Sequence, residues 1–182
     1  CFEPIVFCIG EEGPMAYRLR ELDIKVHLLN FNMDRIIRRL KETRDILRSE
    51  RLDMLYCVLS NSIILGAVLG RLAGISIIVG GIRGLGMTWT RKEILGVRLT
   101  RFLVNSYIVN SEAIKKIRVN REKIHRDKIE VIPNGIDLNS FQFSVDKKNI
   151  IGMVGSLKQI KGQSQLLKAS RILLDRGVDY NF

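Results

Sequence analysis

Residues 128–162 decide the fold. They read K-I-E-V-I-P-N-G-I-D-L-N-S-F at 128–141, cross a polar stretch at 144–149, and resume as I-I-G-M-V-G-S-L-K-Q-I-K-G at 150–162. The apolar run 129–132 ends at Pro133-Asn134-Gly135, a turn signal: Pro fixes its own φ, and Asn and Gly tolerate positive φ. A second apolar run, 150–154, is expected to be a strand. It leads into the lysine-bearing loop 155–162 and then a helical pattern. Strand, glycine, basic loop and helix together offer backbone N–H groups and a cation to a phosphate. The stretch therefore reads as the joint between two α/β domains, with a diphosphate-binding loop just beyond it.

Working outward, strand and helix alternate. Apolar runs at 5–9, 24–29, 52–59, 75–79 and 106–109 are expected strands. Helical patterns lie between them: 15–22; 34–50, capped by Asp34; 63–73, stopped by Gly74; 91–103; and 112–121. Ile36, Ile37, Leu40, Ile46 and Leu47 are expected to face the core from the second helix. Ile94, Leu95, Leu99, Phe102 and Leu103 are expected to do so from the fourth. Residues 80–90 read as a glycine-rich loop. Beyond 162 comes a helix at 163–176, with Leu166, Leu167, Leu173 and Leu174 inward and Gly177 as its stop. A strand is expected to start at 179. The strands are continuous apolar runs, so the class is α/β with a doubly wound, Rossmann-like parallel sheet covered on both faces. Residues 1–143 form a nearly complete first domain, and 144–182 the β-α-β start of a second.

The 182 residues are 46% hydrophobic and 27% charged, which suits a soluble protein with a real core. The formal charge of +11 suggests attraction to an anionic partner: nucleotide phosphates, a lipid surface or nucleic acid. Charge is densest over 115–128, either a solvated helix face or a surface for anionic lipid head groups. No aromatics interleave there for base stacking, so nucleic acid is not expected as a partner. Three cysteines, Cys1, Cys8 and Cys57, have no CxxC spacing and read as free thiols in a reducing compartment. Neither His27 nor His125 has a metal-ligand partner at helical spacing, so no metal site is expected. No apolar run is long enough to span a bilayer, and the opening residues lack a signal peptide's basic region. The location expected is cytoplasmic, with the inner face of the cell membrane as a peripheral site. The missing initiator Met suggests truncation.

In doubly wound sheets ligands bind beyond the carboxyl ends of strands. Asn61, Arg83, Ser111, Glu112, Asn134 and Gly135 occupy those ends here and are the candidate cleft residues. Gly155, Ser156, Lys158 and Lys161 are the candidate phosphate ligands. Lys161 stands near the start of the last helix, where its ammonium and the helix dipole act together. The loop is not a P-loop, since G-x-x-x-x-G-K-[ST] is absent. Gly84-x-Gly86 lacks the third glycine and downstream acid of a dinucleotide fingerprint. No Ser/His/Asp or Cys/His set emerges, and no catalytic residue is assigned. Glu11, Glu12 and Glu112 read as loop or helix-start acids.

The segments I-V-N-S-E-A (108–113), V-I-P-N-G-I-D (131–137) and I-G-M-V-G-S-L-K-Q-I-K-G (151–162) resemble family-four glycosyltransferases of the GT-B fold. G-E-E-G-P (10–14), R-L-A-G-I (71–75) and I-V-G-G-I-R (78–83) add to the likeness. The resemblance implies two Rossmann-like domains facing across a cleft, the first for an acceptor and the second for a nucleotide-sugar donor. It places Lys161 on the donor-phosphate lysine. Ser156 stands where an arginine is frequent, leaving Lys158 as a substitute, and no histidine occurs near Val58, where many members carry one. The family's opening strand with its glycine-rich loop and its E-x7-E motif are missing, so the chain reads as an internal fragment without turnover. The activity implied for the parent is retaining sugar transfer, without metal or cofactor, to a sugar or lipid-linked acceptor in polysaccharide, lipopolysaccharide or glycolipid synthesis. A nucleotide-sugar epimerase of related fold and a non-enzymatic basic module binding membrane or nucleic acid are the alternatives.

Overall fold

The computed structural model describes residues 2–29, 31, 35–86, 89–140 and 150–178. The chain divides into two compact units, Cys1–Gly135 and Ile136–Phe182.

The first unit alternates strand and helix as the apolar periodicity requires. Its elements are β1 (Ile5–Ile9), α1 (Pro14–Glu21), β2 (Lys25–Leu29), α2 (Ile36–Ser49), β3 (Met54–Val58), α3 (Ser60–Ala73), β4 (Ile77–Ile82), α4 (Arg91–Thr100), β5 (Ser106–Val109), α5 (Glu112–Arg121) and β6 (Ile129–Val131). Every ladder is parallel. Each crossover therefore carries a helix, and all strand carboxyl ends emerge on one edge. The core is built from Leu55, Ile63, Ala67, Ile78, Ile82, Val97, Tyr107, Val109 and Ile129 among others.

The strands form two ladders, β1-β2 and β3-β4-β5-β6. Between them lies a cavity of about 390 Å³, lined by Ile5, Phe7 and Ile9 of β1 and by Leu55, Tyr56 and Cys57 of β3. No residue of β1 is fully buried, although its sequence is IVFCI. An apolar parallel strand normally has both sides covered; here one lateral edge of β1 is open.

Two local expectations change. Gly80 and Gly81 belong to β4, not to a loop. A Cβ on Gly80 would lie 2.7 Å from the Tyr107 ring, and one on Gly81 would lie 2.8 Å from Tyr56 Cζ. The glycines let two tyrosines from the neighbouring strands cross β4 on opposite faces. On α4, Val97 and Thr100 turn inward, whereas Leu95 and Leu99 are exposed, as are Phe102 just beyond the helix and Ile37 on α2. Gly96 admits the Ile64 side chain, so α4 seats on α3 through its small residues and not its large ones. Asp34, expected to cap α2, lies outside the described residues.

The second unit carries helical turns at Leu138–Ser140 and Gln159–Lys161, then α6 (Gln163–Asp175). The stretch 150–154 forms no strand among the described residues. Ile150 is paired in a single bridge, and 151–154 belong to no regular element. The polar crossing at 144–149 and the strand start at 179 lie outside the described residues. On α6, Leu166 and Leu173 are partly buried and Ser170 is buried, while Leu167 and Leu174 are exposed. Gly177 ends the helix at φ +69°, with Val178 N–H donating to Leu173 O, as a glycine stop should.

Candidate functional site

At the carboxyl edge of the larger sheet, the ends of β4, β5 and β6 enclose a recess of about 150 Å³. Tyr56, Arg83, Asn110, Asn134 and Gly135 line it. Arg83 Nη1 donates to Asn134 Oδ1 at 3.4 Å, so the cation from the end of β4 and the amide beyond β6 meet there. The recess is smaller than the roughly 300–1,000 Å³ of a typical ligand pocket. It offers a guanidinium, two side-chain amides and a phenol to part of a hydroxyl-bearing ligand.

The other cleft candidates lie elsewhere on this edge. Asn61 is exposed in the first turn of α3. Ser111 caps α5, its Oγ accepting from Ile114 N–H at 3.4 Å. Glu112 opens α5 and, with Lys115, Lys116 and Arg126, borders a separate surface hollow. A further link crosses the edge. The Glu93 carboxylate accepts from the Ser60 hydroxyl and, in a capping box, from Thr90 N–H and Oγ. Those bonds, led by that of Ser60, hold its pKa below the ordinary carboxylate value. They tie the starts of α3 and α4 together.

Residues 84–86, after β4, are held from below by a buried ionic cluster. Arg118 on α5 and Glu122 at its C-terminal cap are both 0% exposed and pair at 2.6 Å. Arg118 Nη2 donates to Leu85 O at 2.5 Å and to Gly84 O at 3.3 Å. Its guanidinium lies 4.3 Å from the centre of the Trp89 ring. Arg121 Nη1 donates to Gly86 O at 3.1 Å, and Arg121 Nε to Glu122 at 2.8 Å. Burial lowers the Arg118 pKa, and Glu122 opposes that shift. Gly86 sits at φ +64°, and a Cβ there would meet both guanidiniums. The cluster thus fixes the loop that begins at Arg83.

Sequence reading missed this cluster. Its signal is the i,i+4 pair Arg118/Glu122, which on an exposed helix would be a surface ion pair. Other charges of the 115–128 segment also turn inward: Lys115 Nζ donates to Ile129 O at 2.7 Å, and Lys128 Nζ to Val104 O at 2.8 Å. Lys116, Lys123 and Arg126 stay exposed.

In the second unit, Gly155, Ser156, Lys158 and Lys161 come together in one loop. Lys158 N–H donates to Ser156 O at 2.7 Å, and the Gln163 side-chain amide donates to the same carbonyl at 2.8 Å. The Lys161 stem runs beside Gly155, with Cγ and Cδ each 3.9 Å from where a Cβ would stand. Gly162, at φ +79°, precedes α6 with no side-chain cap. Gln165 and Leu166 N–H both donate to Gly162 O at 3.0 Å, which leaves the N–H groups of Gln163 and Ser164 as the donors at the helix start. No ion pair holds Lys158 or Lys161 among the described residues. The loop offers two ammonium groups and a helix start to an anion.

Among known proteins, residues 1–140 match the family model described as Glycosyltransferase Family 4. The structure resembles crystal structures of Anabaena Alr3699/HepE. In complex with UDP, the TM-score is 0.75 at 15% identity, over 91% of this chain and 57% of that one. In complex with UDP-glucose, it is 0.74 at 15% identity, over 91% and 56%. The apo lipopolysaccharide outer core galactosyltransferase WaaB gives 0.54 at 14% identity, over 80% and 50%. At such identities the likeness is one of fold, and the chain spans little more than half of these structures. No curated protein sequence matches it significantly. Among the described residues, no helix is long and apolar enough to cross a membrane.

Proposed function

Because this chain belongs to Glycosyltransferase Family 4, we propose that its parent protein transfers a sugar from a nucleotide-sugar donor to a sugar or lipid-linked acceptor in polysaccharide, lipopolysaccharide or glycolipid assembly. The observation that carries the reading is the family match over residues 1–140. Support comes from the carboxyl edge of the sheet, where Arg83, Asn110 and Asn134 converge on one recess. The acceptor's hydroxyls would be held there.

The donor diphosphate would lie against residues 155–162. As the bond from the sugar's anomeric carbon to the diphosphate breaks, the electron pair passes to the phosphate oxygen. Lys161, Lys158 and the start of α6 offset that charge. The acceptor hydroxyl forms the new bond on the face the diphosphate leaves, retaining configuration, and gives its proton to the departing phosphate. Positioning and electrostatics supply the rate, with neither metal nor cofactor. The parent works in the cytoplasm, peripheral to the inner face of the cell membrane. The 182-residue chain alone binds without turning over.

Titrating the chain with UDP and GDP sugars by calorimetry tests this. Binding that weakens roughly tenfold in Lys161→Ala is expected, from the loss of one charge-assisted contact. Indifference to every nucleoside diphosphate would sink the donor-loop assignment, and product release by the chain alone would sink the claim that it is inactive.

A further inference from the structure

Leu95 and Leu99 of α4, and Phe102 in the turn that follows it, point away from the core. Leu95, Leu99 and Phe102 are 54%, 66% and 70% exposed. Their i, i+4, i+7 spacing puts them on one stripe. On α3, Val68 and Leu72 are also exposed, in a groove shared with Leu40, Lys41 and Arg44 of α2. The two helices are locked in register: Ile64 fits against Gly96, and Arg71 Nε donates to Leu103 O at 2.9 Å. The two helices are therefore packed neighbours, each with exposed apolar residues. Single exposed leucines need no explanation, but five large apolar side chains on two adjacent helices and the turn after α4 mark a contact surface.

The exposed charges that α4 itself contributes are basic. Arg91, Lys92 and Arg98 are exposed on α4, and Arg101 sets its guanidinium 4.1 Å from the centre of the Phe102 ring. Helix α3 has no acidic residue, and Glu93, the one acid of α4, is bonded to Ser60 and Thr90. An apolar stripe flanked by cations, with no free carboxylate, complements an interface that is apolar below and anionic at its surface.

We propose that the outer face of α3 and α4 seats the protein on an anionic lipid bilayer. Leu95, Leu99 and Phe102 enter the headgroup boundary, and Arg91, Lys92 and Arg98 meet lipid phosphates. The proposal gives peripheral attachment a surface distinct from the 115–128 segment, several of whose cations are spent internally. It does not rest on sugar transfer: nucleotide binding can fail with lipid binding intact.

Co-sedimentation of the 182-residue chain with phosphatidylcholine vesicles, with and without roughly one-third phosphatidylglycerol, tests it. At least tenfold stronger binding to the anionic vesicles is expected. Glycerol phosphate in solution should not compete, since it lacks the apolar layer. Leu99→Ser/Phe102→Ser and Lys92→Ala/Arg98→Ala should each lose roughly tenfold, and Lys116→Ala/Lys123→Ala should lose nothing. Far-UV circular dichroism and Trp89 emission establish that each variant is folded. Equal binding to both vesicle types overturns the proposal. So do unchanged binding in the α4 variants and a dimer that Leu99→Ser/Phe102→Ser dissociates with vesicle binding intact; that last result would make the face a contact between copies of the chain.

Discussion

Replacing Arg118 by methionine leaves the Glu122 carboxylate at 0% exposure with only Arg121 beside it, at 2.8 Å. Breaking a buried pair from one side costs about 3–5 kcal/mol, because the remaining charge stays desolvated. Arg121 keeps part of the compensation, so the lower end, about 3 kcal/mol, is expected. Unfolding a unit of Cys1–Gly135 carries roughly 280 cal/mol/K of entropy at about 2.1 cal/mol/K per residue, so Tm should fall by about 11 °C. Arg118→Met/Glu122→Leu removes both charges and fills the space with apolar atoms. The carbonyls of Gly84 and Leu85, on exposed residues, can turn to water. The double variant should return to within about 1 kcal/mol of wild type, a coupling of about 2 kcal/mol or more. Thermal denaturation followed by circular dichroism measures it. Trp89, the sole tryptophan, reports the loop directly: its emission should shift to the red in Arg118→Met. A single-variant Tm within 2 °C of wild type, or a coupling below about 0.5 kcal/mol, would refute the claim that this cluster holds the loop.

Gly80→Ala should destabilise by about 1–3 kcal/mol in urea melts, since the new methyl meets the buried Tyr107 ring at 2.7 Å, whereas Gly84→Ala, with open space and no positive φ, should be near neutral. Burial pushes the Cys57 thiol up to about 12. In a chain carrying Cys1→Ser and Cys8→Ser it should therefore react with a disulfide reagent at pH 8 only at the rate of unfolding. The Lys25 ammonium, and after it His27, hold the Glu50 carboxyl below its ordinary value of 4.5. A lowered folded-state pKa stabilises above the unfolded value and ceases to do so as pH falls through the folded one. The Tm advantage of wild type over Glu50→Gln should thus be full at pH 6 and fade below about 4.5; an advantage that grew on acidification would contradict the pairing.

Why some of this was legible in the chain, and some not, follows from where each signal is stored. β5 and α5 fall on the residues their patterns mark, 106–109 and 112–121, because local cues bound them: a short apolar run between polar residues, and Ser111 with Glu112 at a helix start. Gly74 and Gly177 end helices for the same local reason. β4 could not be bounded that way. Gly80 and Gly81 look like loop until Tyr107 and Tyr56 are known to cross them, and those tyrosines stand 27 and 25 residues away in sequence. Arg118 looks solvated until Gly84, Leu85 and Trp89 fold over it. On α4, periodicity located an apolar stripe but not its direction. The helix has a second, smaller-featured stripe in Gly96, Val97 and Thr100, and only packing against Ile64 selects that one for the core. A stripe read as interior from the sequence is thus the surface the folded chain leaves free. The candidate site divides along the same line. Strand order alone places Arg83 and Asn134 on one edge, whereas their meeting in a single recess, and the buried cluster that fixes the loop beside Arg83, depend on contacts between residues far apart in the chain.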